Sequence, residues 1–327
     1  MTPARARLKV TIPFVVGSYA SEPVDPAQRI AYAALLRDSD WVSGLELPYP
    51  GLLATDPQGV AQTLSDDWTS NVITAIPGTM QRVSADPWFG LASPDAAGRA
   101  AAIDLTRSVR DAVHALAAAK GHGVVAAVEL HSAPTRRADP VALRASLEQV
   151  LAWDWAGAQV VLEHCDRWTD THRAQKGFLP LEAEIEVTRS VGIRMAINWG
   201  RACLEERSVA AALAAVETTH EAGVLSGLMF SGVSPHTTTY GGPWADAHLP
   251  AADDDANSLM TSAAINACTR EASRPLNGSL PLTYVGAKIS APAQASPTRR
   301  LQLLETIARA ANAPSVPEAI CLESHGS

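Results

Sequence analysis

The sequence predicts an α/β protein made of one closed (β/α)8 barrel that takes up residues 1–327 as a single domain. Hydrophobic segments typical of buried parallel strands recur about every 30 residues, the length of one strand-helix unit. Ala- and Leu-rich segments with helical periodicity lie between them. Several of these helical segments start with Asp-Pro or Ser-Pro, a pair that favours a helix N-terminus.

Eight segments have the composition of buried strands, and eight units favour closure of the sheet into a barrel. An open, doubly wound sheet is the alternative, but its usual Gly-rich phosphate loop is missing from "VVGSYASEP" after the first segment. Two longer gaps between segments are predicted as loop insertions near 80–95 and 235–258. The predicted strands are 14–19, 42–47, 71–76, 124–130, 159–164, 193–198, 225–230 and 282–289.

Each Asp-Pro or Ser-Pro pair places a side-chain acceptor at the N-cap position and proline in the first helical turn. We therefore expect a helix to begin at the proline of each pair. The pairs are Asp25-Pro26, Asp56-Pro57, Ser93-Pro94, Asp139-Pro140 and Ser296-Pro297.

The composition narrows the class of function. A formal net charge of −8 argues against a nucleic-acid partner and fits a small, neutral or polar substrate. The four cysteines show no C-x-x-C spacing, so they are expected to be reduced thiols of a cytoplasmic protein. No apolar run reaches the roughly 18 residues of a membrane span, and none resembles a signal peptide. The sequence is also compatible with a homo-oligomer.

Polar residues stand at the carboxyl ends of most predicted strands. In a (β/α)8 barrel these ends form the mouth where active sites lie, so the polar residues are expected to converge there. They are Glu46, Glu129, His131, Glu163, His164, Asp166, Asn198, Ser231, His236 and Lys288.

Alternation along a strand separates these residues into two faces. If Glu163 faces the barrel axis, His164 faces the helices and has a structural role. Glu129 shares its face with His131 and could orient it. Plainer roles are also open: Glu46 and Asp166 as ion-pair partners or caps, and Lys288 as the counter-charge of a glutamate. Cys165 is expected to pack in the interior.

The predicted insertion after the seventh strand contains "SPHTTTYGGPWADAHLP" at 234–250. Asp246 and His248 have a spacing that can present both side chains to one divalent metal. The aromatic rings of this loop suit sugar rings, although an ordered surface loop would also explain them. The candidate substrate-binding residues are Glu46, Asn198, Trp199, Tyr240 and Trp244.

The whole chain resembles the xylose isomerase-like TIM barrels, the superfamily of sugar isomerases and epimerases that also includes the endonuclease IV fold. Within it, the sequence looks most like an uncharacterised bacterial branch known as a domain of unknown function. The resemblance depends on the order of four segments along the chain, which are "VELHSAP", "VLEHCD", "MAINWG" and "WADAHLP".

The resemblance implies a divalent metal at the mouth, commonly Mn, Mg, Co or Zn. Carried over by position, its ligands are Glu163, His236, Asp246 and His248, with Ser231 as the alternative to His236. Two departures stand against the family pattern. Lys288 occurs where epimerases have a second glutamate, and Asn198 occurs where they have an aspartate.

The predicted function is that of a sugar, or keto-sugar derivative, isomerase or epimerase that removes a proton next to a carbonyl, with assistance from a metal. Glu163 is the expected metal ligand, His131 or Glu129 the base, and Lys288 the group that holds developing negative charge. Two alternatives stay open: a lyase or aldolase that uses Lys288, and a non-catalytic sugar-binding barrel. The net charge and the missing carboxylates argue against a metal-dependent nuclease.

Overall fold

The structure is a computed structural model that describes residues 8, 10–276 and 280–314. It confirms the predicted (β/α)8 barrel: eight parallel strands pair in chain order, and β8 closes the barrel by pairing with β1. The strands are β1 Phe14–Val16, β2 Gly44–Pro48, β3 Asn71–Thr74, β4 Val125–Leu130, β5 Gln159–His164, β6 Arg194–Asn198, β7 Leu225–Phe230 and β8 Tyr284–Ala287.

Helices surround the barrel in the described part of the chain. They are α1 Pro26–Arg37, α2 Gly51–Thr55, α3 Pro57–Thr63, α4 Ile76–Ala85, α5 Ala96–Lys120, α6 Pro140–Leu151, α7 Leu181–Val191, α8 Trp199–Glu206, α9 Val209–Glu221, α10 Ser262–Ala272 and α11 Pro297–Ala311. Three predicted strands extend too far at their carboxyl ends, those at 14–19, 71–76 and 282–289, and the strands predicted at 42–47 and 282–289 begin two residues later than expected. A 3-10 turn over Ser18–Ala20 follows β1, and α4 begins directly after β3.

Four of the five predicted helix starts are confirmed, at Pro26, Pro57, Pro140 and Pro297. The start predicted at Ser93-Pro94 is wrong. There Asp95 is the N-cap, since its carboxylate accepts a hydrogen bond from the backbone N–H of Gly98 at 2.7 Å, and α5 begins at Ala96. A better-placed carboxylate two residues later displaces the serine as cap.

The interior of the barrel contains an apolar layer, formed by Val15, Val72, Ala127, Val161, Ala196, Met229 and Tyr284. The ring of Tyr284 fills space left by Gly227, where an added Cβ would lie 2.3 Å from Cζ of the ring. Residues of opposite parity on the strands face the helices and form the main core. The apolar layer fills the barrel, so polar side chains further along the strands lie towards its carboxyl end.

The two predicted insertions contain different structures. Most of α4 and the loop before α5 cover the first region, near 80–95, while residues 231–261 between β7 and α10 contain no helix or strand. The single domain over 1–327 and the exact limits of the insertions stay predictions. Cys321 lies outside the described residues. Among the helices of the described residues, none is long and apolar enough to cross a membrane.

Candidate active site

A polar layer follows the apolar layer at the carboxyl ends of the strands. Its side chains point inward because of alternation along the strands. Most of them lie two residues beyond an inward-facing residue of the same strand, and Glu46 pairs in register with the inward-facing Val72 of β3. All are buried, although burial of so many polar groups is costly unless they are paired. They are Glu46, Glu129, Glu163, Asn198, Ser231 and Lys288.

Glu163 contacts three polar side chains of the site. Its Oε2 accepts hydrogen bonds from His131 Nε2 and from a guanidinium nitrogen of Arg201, each at 2.7 Å. Asn198 donates a longer bond to Oε1 at 3.4 Å. Burial alone would raise the pKa of Glu163, but Arg201, Lys288 and His131 outweigh it and hold the pKa well below its usual range. Glu163 is therefore an ionised, firmly held carboxylate.

His131 lies just beyond β4 and is oriented by Glu163. An ionised carboxylate can only accept, so Nε2 carries the proton of this hydrogen bond. Burial lowers the pKa of His131 more than the hydrogen bond to Glu163 raises it, which keeps the ring neutral at pH 7. Nδ1 then has a lone pair, and among the described residues it has no hydrogen-bond partner. Nδ1 is therefore a free basic nitrogen in the interior of the site.

Glu129 differs from Glu163 although both are fully buried. Burial raises its pKa well above the usual range, and the negative charges of Glu163 and Glu46 raise it further. The hydroxyl of Tyr284 donates to Oε1 at 2.5 Å, whereas Oε2 has no partner in the described part of the chain. Glu129 therefore carries a proton that it can give to a ligand.

Lys288 and Glu46 form a buried ion pair, with Nζ 2.8 Å from Oε1. Burial would lower the pKa of Lys288, but Glu46, Tyr19 and Glu163 raise it well above its usual value, so the ammonium stays charged. Gly17 makes room for the pair: a Cβ there would lie 2.8 Å from Cβ of Lys288 and 2.9 Å from Oε2 of Glu46. The expectation that Lys288 neutralises a glutamate is confirmed.

Residues 231–250, here called the mouth loop, lie over the β6–β8 side of the polar layer. Asp246 contacts Lys176 at 3.0 Å, His248 at 3.3 Å and Arg201 at 3.4 Å. His248 also lies 3.3 Å from the hydroxyl of Ser231. Arg201 thus touches both the mouth loop and Glu163.

The outward face of β5 carries a second cluster, as alternation predicts. His164 lies 2.6 Å from Glu184 of α7 and 3.1 Å from Glu205 of α8. Burial would lower the pKa of His164, but the two carboxylates raise it to about 10. Ser132 donates a further hydrogen bond to Glu184. His164 is therefore a charged residue that joins the barrel to two helices.

Three other residues singled out in the sequence are not members of the polar layer, although Cys165 lies next to it. Asp166 accepts hydrogen bonds from the backbone of Gln175 and Lys176, so it stabilises the loop after β5. Cys165 is buried, with Arg201 3.4 Å from its sulfur. Trp199 lies in the core between the barrel and the helices, because its parity is opposite to that of Asn198.

Three aromatic or imidazole groups of the mouth loop are not brought to Glu163. The side chain of His236 is exposed, and its backbone N–H bonds to Ser234, within a turn that directs the chain away from the strand end. Trp244 lies over the guanidinium of Arg207, 5.9 Å from the ring centroid. Tyr240 lies near the charged groups of Asp255 and Arg299, on the side of α11.

A cleft of about 480 Å³ lies between α1 and the α2–α3 pair, beside the polar layer. Its walls include Leu36, Leu45 and Leu53, and it extends to Tyr19 and Glu46. At its rim Ile30 and Leu52 are each 70% exposed. The surroundings of the polar layer are thus apolar on the β1–β2 side and charged on the β5–β7 side.

Buried carboxylate and imidazole groups that could hold a metal are present in the described residues. One set is His131, Glu163 and Cys165, and the other is Glu46, Glu129 and Glu163. Neither is the ligand set implied by the resemblance. The second set fits a hard cation in its oxygen ligands, but each carboxylate already has a protein donor, from Lys288, Tyr284, or His131 and Arg201. Oε2 of Glu46 and Oε2 of Glu129 have no partner in the described part of the chain, but the proton of Glu129 and the cations paired with Glu46 and Glu163 oppose a divalent ion at this set.

Sequence reasoning missed Arg201, Tyr284 and Tyr19. Alternation could have found Tyr284 of β8, which has the same parity as Lys288 directly after that strand. Burial and the negative charge of Glu46 raise the pKa of Tyr19, so its hydroxyl lies close to the charged groups of the layer. Arg201 gave no signal, because a basic residue in the first turn of a helix normally reaches solvent.

These features define a closed (β/α)8 barrel with a buried acid, base and cation cluster at its carboxyl end. The chain belongs to the family described as "Domain of unknown function (DUF4862)", whose model matches residues 15–303. Its sequence is 33% identical over 267 residues to "Uncharacterized protein STM3670" of Salmonella typhimurium (strain LT2), covering 76% of this chain and 81% of that protein.

Solved structures share the fold at low sequence identity. A D-psicose 3-epimerase of Clostridium cellulolyticum H10 is 13% identical, with a TM-score of 0.52 over 92% of this chain and 96% of that one. An AP endonuclease, family 2, of Brucella melitensis is 13% identical, with a TM-score of 0.54 over 88% and 96%. A xylose isomerase domain protein of Alicyclobacillus acidocaldarius is 14% identical, with a TM-score of 0.50 over 92% and 99%. The fold that the resemblance to xylose isomerase-like barrels implied is confirmed.

Proposed function

We propose that this protein is an enzyme that transfers a proton at the carbon next to a carbonyl group of a sugar or keto-sugar derivative, as an isomerase or epimerase does. One observation carries the proposal: His131, with a free Nδ1, is held by the ionised Glu163 beside a second carboxyl group that is protonated. Carboxyl and imidazole groups with separated pKa values are the usual parts of acid-base catalysis.

In this mechanism Nδ1 of His131 removes the proton from the carbon, and the electron pair moves towards the carbonyl oxygen. Glu163 stabilises the imidazolium that forms, since its carboxylate accepts the hydrogen bond of the Nε2–H group and stays ionised. Glu129 gives its proton to the carbonyl oxygen, which leaves an enediol and the carboxylate of Glu129. The imidazolium of His131 then returns its proton to the neighbouring carbon while the Glu129 carboxylate takes the proton of the other enediol hydroxyl, which becomes the new carbonyl, so that both groups regain their starting states. The ammonium of Lys288 stabilises the negative charge in between.

The substrate-binding roles of Glu46, Asn198, Tyr240 and Trp244 stay predictions. Glu46 and Asn198 lie in the polar layer with the proposed acid and base. The two aromatic residues could reach a ligand only if the mouth loop changes its conformation, and Trp199 could not without leaving the core. A sugar as ligand is supported by the shared fold and by this density of hydrogen-bonding groups. Cytoplasmic location, independence of nucleic acid and membranes, and a homo-oligomer also stay predictions.

Assistance by Mn, Mg, Co or Zn was expected from the resemblance, and no step of this mechanism uses it. The alternative lyase or aldolase would need Lys288 as a neutral amine to form a Schiff base. Its buried pairing with Glu46 keeps the ammonium charged, so this alternative has less support.

The test is solvent exchange. The protein is incubated in deuterium oxide with a panel of ketoses and keto-sugar derivatives, and proton NMR follows the signal of the carbon next to the carbonyl. We expect exchange with one substrate class for the wild type and its loss in His131→Asn. Binding of a sugar without exchange would favour the non-catalytic barrel, and borohydride trapping of a sugar on Lys288 would favour the lyase.

A further inference from the structure

We infer that Arg201 is the built-in cation of this site: its guanidinium joins Glu163 to Asp246 of the mouth loop, where the resemblance implies a divalent metal. Arg201 is thus proposed as a positioning residue that couples the carboxylate behind His131 to the loop over the mouth. The inference shares Glu163 with the proposed function, but it does not depend on turnover.

The contacts place the guanidinium between the expected ligands. One terminal nitrogen lies 2.7 Å from Oε2 of Glu163, and Nε lies 3.4 Å from Oδ2 of Asp246. Arg201 is 1% exposed, so these contacts form away from water. Two carboxylates from different segments, which a metal ion would bridge, are bridged here by one planar cation.

The local sequence explains how Arg201 reaches this position. Asn198 caps α8 by accepting from the backbone N–H of Arg201, which fixes the first turn beside the barrel axis. Gly200 allows the close approach of β7, since a Cβ there would lie 2.4 Å from the carbonyl oxygen of Ser231. The side chain is thereby directed to the end of β5 instead of to solvent.

Charge balance favours the same interpretation. Glu46, Glu163 and Asp246 face the three cations Lys288, Arg201 and Lys176. A divalent ion would add two positive charges next to ammonium and guanidinium groups that are already paired. The asparagine at 198 and the lysine at 288, which departed from the family pattern, both lower the negative charge that would attract a metal.

The first experiment measures metal on the intact wild-type protein. Metal content is determined after purification with and without a chelator, and melting temperature is followed with added Mn, Mg, Co or Zn. We expect no stoichiometric metal and no shift of the melting temperature. One equivalent of retained metal, or a melting temperature that falls on chelation, would overturn the inference.

The second experiment replaces the cation. Arg201→Ala leaves two buried carboxylates without a counter-charge, so the melting temperature should fall by roughly 10 °C. Chymotrypsin should then cut after Tyr240 or Trp244, which mass spectrometry locates. Arg201→Lys keeps the charge but cannot bridge both carboxylates in the same geometry, and it should recover part of the melting temperature. Arg144→Ala, on the exposed face of α6, is the matched control.

A third variant guards against a simple folding defect. Asp246→Asn removes the loop end of the bridge together with the ion pair to Lys176, so it should increase cleavage in the mouth loop with a much smaller loss of melting temperature. Lys176→Met removes that ion pair but leaves the bridge, so it should increase cleavage less. If the loop is cut no faster in Asp246→Asn than in Arg144→Ala, the coupling is wrong. These readouts need no substrate, so a failed exchange assay and a failed bridge remain distinguishable.

Discussion

Neighbouring residues of β5 create two clusters of the same chemical type on opposite faces of the barrel wall. Inside, Glu163 holds His131, and outside, Glu184 and Glu205 hold His164. The histidine pKa is lowered inside and raised to about 10 outside. The inner carboxylate shares its charge with Arg201, while the outer histidine is the main counter-charge of two carboxylates.

The difference shows that burial and a carboxylate partner do not by themselves decide the charge of a histidine. Where a stronger cation already neutralises the carboxylate, the imidazole can stay neutral and keep a lone pair for chemistry. In the outer cluster the guanidinium of Arg167 pairs with Glu205 at 3.2 Å, but His164 is the cation against the fully buried Glu184, so the imidazole takes the proton and acts as an ion-pair partner. The inner cluster is suited to proton transfer and the outer one to stability.

The largest expected effect separates the two clusters by activity. Glu163→Gln keeps the shape but removes the negative charge that stabilises a protonated His131, so the exchange rate should fall by about 10²- to 10⁴-fold. His164→Asn should keep most of the exchange activity per folded molecule. The exchange rate of both variants is measured by NMR at equal concentrations of folded protein. Wild-type exchange in Glu163→Gln would remove this residue from the mechanism.

The second expected effect is on stability, where the outer histidine should matter more than the inner one. His164→Asn leaves Glu184 buried without its cation and should lower the free energy of unfolding by about 3–5 kcal/mol. His131→Asn loses a neutral donor to a carboxylate that keeps Arg201, so its cost should be nearer 1–2 kcal/mol. Urea unfolding of both variants at neutral pH provides the comparison. Equal costs would mean that the two histidines have the same role in stability.

The fold could be predicted because it depends on local patterns. Hydrophobic segments of regular spacing gave the eight strands, and alternation along β5 correctly separated Glu163 from His164. The prediction failed at Ser93, where two capping side chains stood close together and only geometry selects Asp95.

The site could be predicted only where its residues lie at the ends of strands. Glu163, His131, Glu129 and Lys288 end strands, so their direction followed from the fold. Arg201 and the paths of His236 and Trp244 depend on loops and on one helix turn, whose conformation is set by tertiary contacts. The charge of each group depends on those same contacts, so the sequence gives no means of telling the neutral histidine from the charged one.

A third effect is the pH dependence of stability. The folded pKa of His164, about 10, lies above the unfolded value of about 6.5, so its contribution is fully present below the unfolded pKa and is lost as pH rises through the folded pKa. The difference in unfolding free energy between wild type and His164→Asn should therefore shrink by a few kcal/mol from about pH 6 to about pH 10. His131→Asn, whose histidine is neutral at pH 7, should show no such change over this range. Urea titrations at several pH values test both.

The smallest expected effect concerns Glu205, the second carboxylate of the outer cluster. Glu205, 12% exposed on its side chain, is the second carboxylate of His164 and also accepts the backbone N–H of Arg167 at 2.8 Å. Glu205→Gln keeps an acceptor in place but removes one negative charge, so it should cost about 1 kcal/mol. It should also lower the pKa of His164, because one of the two carboxylates that oppose the effect of burial is gone. Proton NMR of the His164 ring would show its titration midpoint at a lower pH than in the wild type, and the loss of stability with rising pH would move with it. An unchanged midpoint would mean that Glu184 alone keeps His164 charged, and that Glu205 serves mainly as the partner of the Arg167 guanidinium, which lies 3.2 Å from it.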